Sequence, residues 1–412
     1  MFIGGGLVVG LVAVGLALGS DAMQALFRAI IAPSRYLPLI LTPAGFAIAA
    51  YAARRFFPNT QGSGIPQAIA ARTLTDPAAR AELVGLRAAL GKVFLTLFGL
   101  LAGASTGREG PTVQVGASVM FLLGRLSPRR QKGLILAGAA AGVAAAFNTP
   151  LAGIVFAIEE MSRGFEIKTS GLIIGAVILA GLTAQAILGN YTYFGTTNAY
   201  LPIGTAWMAV PLCGVIGGFA GALFSRILVA VPGKLPTAMT HWIKTHPVLF
   251  AALCGLGVAL SGLASGDMIY GTGYQHAKAV LHHTGMVPLE YAPLKLIATA
   301  LSAVSGVPGG IFSPSLSIGA GIGADIARFF HHAEPGPIVL LGMVAYFTGV
   351  VRAPITGFVI VAEMTGEHSM LVALMATAVI ANSCAGLINK DGVYHLLAKR
   401  FMPVKATRGG QG

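Results

Sequence analysis

Shifted by 203 residues, the chain lies over itself. GKVFLTLFGLLAGASTGREGPTVQVGA (Gly91 to Ala117) falls on LKLIATALSAVSGVPGGIFSPSLSIGA (Leu294 to Ala320), bringing Lys92 onto Lys295, Gly103 onto Gly306, Gly107 onto Gly310, Pro111 onto Pro314 and Gly116 onto Gly319. One residue out of register, the hexapeptide PLAGIV from Pro150 falls on PITGFV from Pro354, each ahead of an acid, Glu159 or Glu363. A looser match sets GSGIPQA (Gly62 to Ala68) beside GTGYQHA (Gly271 to Ala277). A unit repeated at this length builds two equivalent halves, and a site where paired segments meet is built once, between them.

The solvent for those halves follows from composition. Of 412 residues 55% are apolar and 10% charged, with a mean hydropathy of +0.78, against roughly 25% charged in soluble domains. Apolar stretches approach the roughly 20 residues needed to cross a bilayer near 4–30, 37–53, 84–104, 172–190, 207–231, 247–264, 289–306 and 369–388. The chain is therefore expected to be an all-α integral membrane protein of a single membrane domain, 1–412. Its first repeat spans 1–200, its second 201–388, and a C-terminal helix and cytoplasmic tail 389–412.

The formal charge of +13 would suggest nucleic acid in a soluble protein, but here the basic residues cluster in loops. They stand at Arg54 and Arg55, at Arg72, Arg80 and Arg87, at Arg125, Arg129, Arg130 and Lys132, at Arg163 and Lys168, and at Lys399, Arg400, Lys405 and Arg408. This is the positive-inside pattern, and it predicts a multi-pass protein of the cell inner (plasma) membrane with a cytoplasmic C-terminus. Residues 169–225 carry no charge, and the tyrosine-rich GNYTYFGTTNAYLPIG (Gly189 to Gly204) reads as an external loop. The first apolar run lacks a basic leader and a cleavage site, so it reads as a retained helix. Parallel halves would each need an even number of spans; the charge pattern favours an odd number, and so an inverted repeat.

Stretches after Gly62, Glu109, Pro150, Ile311 and Pro354 are broken by glycine and proline, which predicts half-helices ending inside the membrane. Irregular backbone is tolerated there only where protein buries it or a cavity meets it. At GREGP and GGIFSP glycines precede a helix, so backbone N–H groups can approach an ion. Helix N-termini carry partial positive charge, so the ligand expected is an anion, held moderately enough for fast turnover. Glu109, an acid at such a terminus, stands where the anion itself should bind. Deprotonated, it would compete as a tethered anion; protonated, it would swing away and link proton to anion movement. In the repeat Glu109 lies over Phe312, so only one half supplies an acidic gate.

GSGIP (Gly62 to Pro66), GREGP (Gly107 to Pro111) and GGIFSP (Gly309 to Pro314), in that order across nearly the whole chain, resemble the signatures of the CLC family of chloride channels and chloride/proton antiporters. The resemblance extends through AAAFNTPLAGIVFAIEEM (Ala144 to Met161) and to Tyr394. It implies the CLC inverted-repeat fold, with broken half-helices meeting at the bilayer midplane, and a homodimer with one pathway per subunit. It implies that the Ser63 hydroxyl and the Tyr394 phenol donate to a dehydrated chloride, with the backbone N–H groups of Ile311 and Phe312 completing the site and Gly62 and Gly110 counted among the chloride-binding residues. Taken alone, Ser63 reads as a helix cap and Tyr394 as an interfacial tyrosine. Glu109 becomes the external gate and proton acceptor and Glu160 the internal proton-transfer residue. The residues themselves do not choose between Glu160 and Glu159, which point about 100° apart on a helix.

The implied function is exchange of chloride for protons, the alternatives being a passive chloride channel or a fluoride/proton antiporter of the same fold. Ser63 favours chloride over fluoride. Against the family pattern, Gln67 and Ile69 stand where bacterial relatives often carry acids, no cytoplasmic helix is expected before the first span, and no nucleotide-binding domains are expected after Gly412. Lys92 and Lys295, deep in apolar segments, read as raising the potential along the anion path or as partners of buried acids such as Glu363. Arg108 reads as an external charge that draws anions in.

No enzyme chemistry is legible. GLRAALGKV (Gly85 to Val93) departs from a phosphate-binding loop in length and ending, and the glycines of GAGIGA (Gly319 to Ala324) suit helix packing. The pairs His282/His283 and His331/His332 read as solvated, and Cys213, Cys254 and Cys384 as packing residues. No cofactor, metal or nucleic-acid partner is expected; the partners are chloride, protons and the lipid bilayer.

Overall fold

The computed structural model describes residues 2–162, 167–189, 191–197, 199–231, 236–282, 284–285, 287–331 and 333–402. Arg163, the Lys168 side chain, His283, His332, Lys405, Arg408 and the tail from 403 lie outside the described residues. The first half runs α1 (Phe2–Ile31), α2 (Pro38–Arg55), α3 (Ile65–Thr73), α4 (Pro77–Val84), α5 (Leu86–Leu101), α6 (Glu109–Gly124), α7 (Gln131–Phe147), α8 (Pro150–Phe156) with a π-helical turn (Ala157–Ser162), and α9 (Ile167–Leu188). The second runs α10 (Ala209–Ala230), α11 (Thr237–Thr245), α12 (Pro247–Ala264), α13 (Tyr274–Leu281), α14 (Tyr291–Val304), α15 (Phe312–Ala327), α16 (Pro335–Val351), α17 (Pro354–Thr365), α18 (Leu371–Ile388) and the short α19 (Val393–Ala398).

Proline opens α2, α4, α8, α12, α16 and α17, where its missing N–H costs nothing and its fixed φ suits the first turn. Each break point read from the sequence is a helix start: α3, α6, α8, α15 and α17 begin there. Among the described residues six helices are long and apolar enough to cross a membrane. The stretches near 37–53 and 289–306 form helices α2 and α14 but fall outside those six. Helices α7 and α16, not marked as spans by the sequence, are its most enclosed elements, with every residue of α16 after Pro335 buried and all but Lys132 of α7.

The repeat survives in the packing. A Cβ on Gly138 of α7 would collide with the backbone of Gly116 on α6, and one on Gly342 of α16 with the backbone of Gly319 on α15. Small residues thus let the same helix pair cross in backbone contact in each half. Gly107 and Gly310, equivalent in the repeat, exchange N–H···O bonds of 2.7 Å in both directions as an antiparallel bridge. The half-helices swap caps as well. Glu363 of α17 accepts from Leu151 N (3.0 Å) and Ala152 N (2.8 Å) of α8. Glu159, following α8, accepts from Ile355 N (3.1 Å) and Thr356 N (2.7 Å) of α17. Each half-helix therefore starts against the other's end, which is the antiparallel relation of inverted repeats.

Basic loops gather at one end of the bundle. Arg87 donates to Phe56 O at the end of α2, Arg80 to Leu74 O and to the Gln131 side chain at the start of α7, and Arg72 to Met161 O.

Candidate anion site and proton route

Each of the two GxG turns is anchored by a lysine. Lys92 Nζ donates to Thr60 O and, at 2.8 Å, to Gly62 O; Lys295 Nζ donates to Ile269 O at 2.7 Å and Gly271 O at 2.8 Å. Both side chains are fully buried. The structure thus replaces the reading of these lysines as partners of Glu363: they hold the carbonyls of the turns, and Glu363 caps α8. Arg108 is corrected similarly. It is buried, donating to Ala17 O at 2.6 Å and pairing with Asp21 at 3.0 Å, so its charge is answered within the protein and does not stand free in a vestibule.

Anchoring the first turn aims Ser63. Gly62 and Gly64 adopt φ of +66° and +100°, a region costly for other residues, and α3 is capped by Gly64 without a side-chain bond. Ser63 is therefore not a cap. A Cβ on Gly110 would collide with the Ser63 hydroxyl, so this glycine clears the space in which Oγ sits. Ser63, Tyr394 and Ile311 line one cavity of about 240 Å³, together with Gly62, Gln67, Arg54 and Arg400. Ser63 Oγ and Tyr394 Oη are both buried without a hydrogen-bond partner. The two hydroxyls are close enough to influence each other but do not meet hydrogen-bond geometry. Unpaired buried hydroxyls are costly, and two of them beside a helix start suit a ligand that only accepts.

Helix α15 begins at Phe312 with Ile311 as its cap. The Phe312 ring is turned away into a cluster with Phe347 (4.4 Å between centroids) and Phe147 (5.1 Å), which leaves the backbone of the first turn to face the site. Glu109 reaches this turn. Its side chain is fully buried, with Oε1 accepting from Ser313 Oγ at 2.5 Å and Oε2 facing Ser313 N at 3.4 Å. A carboxylate lodged at a helix N-terminus occupies a position that favours any anion.

On the other side, Glu160 is buried in the π-helical turn after α8. His395, next to Tyr394 on α19, sets Nε2 2.7 Å from Glu160 O and 3.7 Å from Glu160 Oε1. Tyr394, which lines the cavity, lies within electrostatic reach of both Glu160 and Glu109. Glu159 is committed to capping α17, also accepting from Thr356 Oγ1 at 2.8 Å. Gln67 donates to Asn59 O and Gln61 O, supporting the loop ahead of Ser63. Ser313, Tyr193 and His395 are not singled out by the sequence; only Ser313 carries a signal there, its place inside GGIFSP. His282, read as solvated, is half-buried with Nε2 2.6 Å from Phe194 O.

Broken half-helices from inverted repeats, meeting around buried donors, define a secondary ion transporter of the membrane. Residues 45–386 match the family model described as voltage gated chloride channel, and the chain belongs to that family. It is 31% identical over 431 residues to the H(+)/Cl(-) exchange transporter ClcA of Yersinia pestis, covering 96% of this chain and 86% of the relative. With ClcA of Vibrio parahaemolyticus it shares 31% identity over 391 residues, covering 89% and 80%. Among solved structures, a slow cyanobacterial Cl-/H+ antiporter superposes with a TM-score of 0.84 at 26% identity, covering 99% of this chain and 98% of the other. A CLC-type fluoride/proton antiporter superposes at 0.80 with 22% identity, covering 96% of each, a likeness of fold alone.

Proposed function

We propose that this protein is a secondary active transporter that exchanges chloride for protons across the membrane. The observation that carries the reading is the pairing of two unpartnered buried hydroxyls, Ser63 and Tyr394, with a carboxylate already lodged at the start of α15. Chloride accepts from Ser63 Oγ, Tyr394 Oη and the N–H groups of Ile311 and Phe312, donors that replace hydration without the trap a full cation would set. Ionised Glu109 competes for the anion path; a proton removes its charge and frees the path. Protons reach Glu109 from the inner side through Glu160, with His395 at its side. The basic end of the bundle, and with it α19, faces the cytoplasm by the positive-inside rule.

We read the protomer as half of a homodimer. The least buried spanning helices are α9 and α18, which expose Ile174, Ile178 and Leu182, and Val372, Met375 and Val379. These helices flank α8 and α17, so the face is related to itself by the internal symmetry, as a two-fold interface can be.

The deciding experiment follows chloride and pH together in proteoliposomes under a chloride gradient. Exchange predicts uphill proton movement opposite to chloride. Chloride flux without protons would instead identify a passive channel, and proton-coupled flux of fluoride but not chloride the fluoride exchanger.

A further inference from the structure

The internal symmetry extends beyond the motifs into the segments C-terminal to α9 and α18. The segment after α18 carries Tyr394, which closes the inner side of the site against Ser63 of the turn before α3. Its counterpart after α9 carries Tyr193. This ring packs edge-on against Phe147 (5.2 Å) and Tyr274 (4.8 Å), the latter the first residue of α13, which is the counterpart of α3. The Tyr193 side chain is buried, and its hydroxyl stands 3.5 Å from Ser313 Oγ. On the inner side, then, a tyrosine and a serine present unpaired hydroxyls. On the outer side a tyrosine and a serine present hydroxyls in line with the Glu109 carboxylate.

We propose that Ser313 and Tyr193 form a hydroxyl latch that holds ionised Glu109 in the anion path and sets the pH at which the gate releases. The proposal rests on the exchange reading. An ionised carboxylate only accepts, so Ser313 Oγ donates to Glu109 Oε1, and the remaining lone pairs of that serine are left to accept from Tyr193 Oη. The chain then runs Tyr193 to Ser313 to Glu109, each bond polarising the next in the same sense. All of it favours the charged carboxylate. When a proton binds Glu109, the carboxyl can still accept but the bond from the serine loses its charge assistance, and the weakened hold lets the side chain leave. No other bond is made or broken.

The other titratable groups facing Glu109 are Arg108 on its own chain segment, paired with Asp21 of α1, and Tyr394 of α19. No hydrogen bond joins them to the latch hydroxyls; Arg108 and Asp21 lie within electrostatic reach of Tyr193, so Ser313→Ala is the primary variant and Tyr193→Phe, which keeps the ring in place, the supporting one. Both latch residues are positioning residues: neither has to carry chloride or a proton for the latch to work.

The test is the dependence of chloride turnover on external pH in proteoliposomes. Removing a donor to the ionised form raises the proton affinity of the carboxyl, so the gate opens at higher pH. Ser313→Ala should move the midpoint up by about one pH unit, and Tyr193→Phe by less in the same direction. Ser313→Thr, which keeps a hydroxyl, should return the midpoint towards wild type. In a Glu109→Gln background Ser313→Ala should have no effect on pH dependence. An unchanged midpoint in both Ser313→Ala and Tyr193→Phe, with proton pumping intact, would overturn the latch alone. A shift that persists without Glu109 would overturn it as well. Wild-type vesicles that move no protons would sink the exchange reading, and the latch with it.

Discussion

Glu159 and Glu363 hold the same position in the two repeats, and each caps the first turn of the half-helix that follows the other's break. Charged caps at a helix N-terminus gain from both hydrogen bonding and the helix dipole. Glu159→Ala should therefore destabilise the fold by about 3 kcal/mol, seen as a lowered unfolding temperature in detergent. Glu159→Gln, which keeps an acceptor, should lose less. Proton coupling should persist in both, because the side chain is spent on α17.

Glu109→Gln should leave chloride flux and abolish proton coupling, since the amide cannot ionise. Simultaneous chloride and pH recordings check this. A Gln variant that still drives protons uphill would show that the gate lies elsewhere.

Glu160→Gln should uncouple in the same assay while sparing chloride flux. His395→Gln keeps a donor for the Glu160 carbonyl but cannot take up a proton, so it should slow proton movement more than chloride movement. Equal slowing of both ions would assign His395 to structure only.

At the central site, Tyr394→Phe removes one neutral donor and should weaken chloride binding about 3-fold to 10-fold. Gly110→Ala puts a methyl where Ser63 Oγ stands and should abolish binding. Isothermal titration with chloride separates the two, and unaltered binding in the alanine variant would remove Ser63 from the site.

If the exposed ridge of α9 and α18 is a two-fold interface, a single cysteine at Ile178 in a cysteine-free background should cross-link the protein into dimers in native membranes. A cysteine at Leu256 on α12, also apolar and exposed, should not. Monomers from both would leave the ridge to lipid.

Motifs and repeat make the half-helices legible, because glycine and proline fix where helices start. The enclosed pair α7 and α16 is not legible as spans, since each runs for 17 residues, short of the roughly 20 that cross a bilayer, and a helix enclosed by protein needs no spanning length. Lys92 and Lys295 mislead for a related reason. An isolated charge in an apolar stretch suggests ions or acids as partners, whereas here backbone carbonyls complete its shell. The partners of Glu109 and Glu160 come from segments far away in the chain, Ser313 and His395, and no local pattern announces a contact of that range.

The reciprocal caps and the Gly107–Gly310 bridge also bear on biogenesis. When the first repeat leaves the ribosome, the N-terminus of α8 has no carboxylate until Glu363 is made, and Ser63 has no facing phenol until Tyr394 is made. The first half cannot complete the ion path during its own insertion. Assembly of the site is therefore a late event in synthesis, and two separately expressed halves would have to find each other within the bilayer before either acquired a pathway.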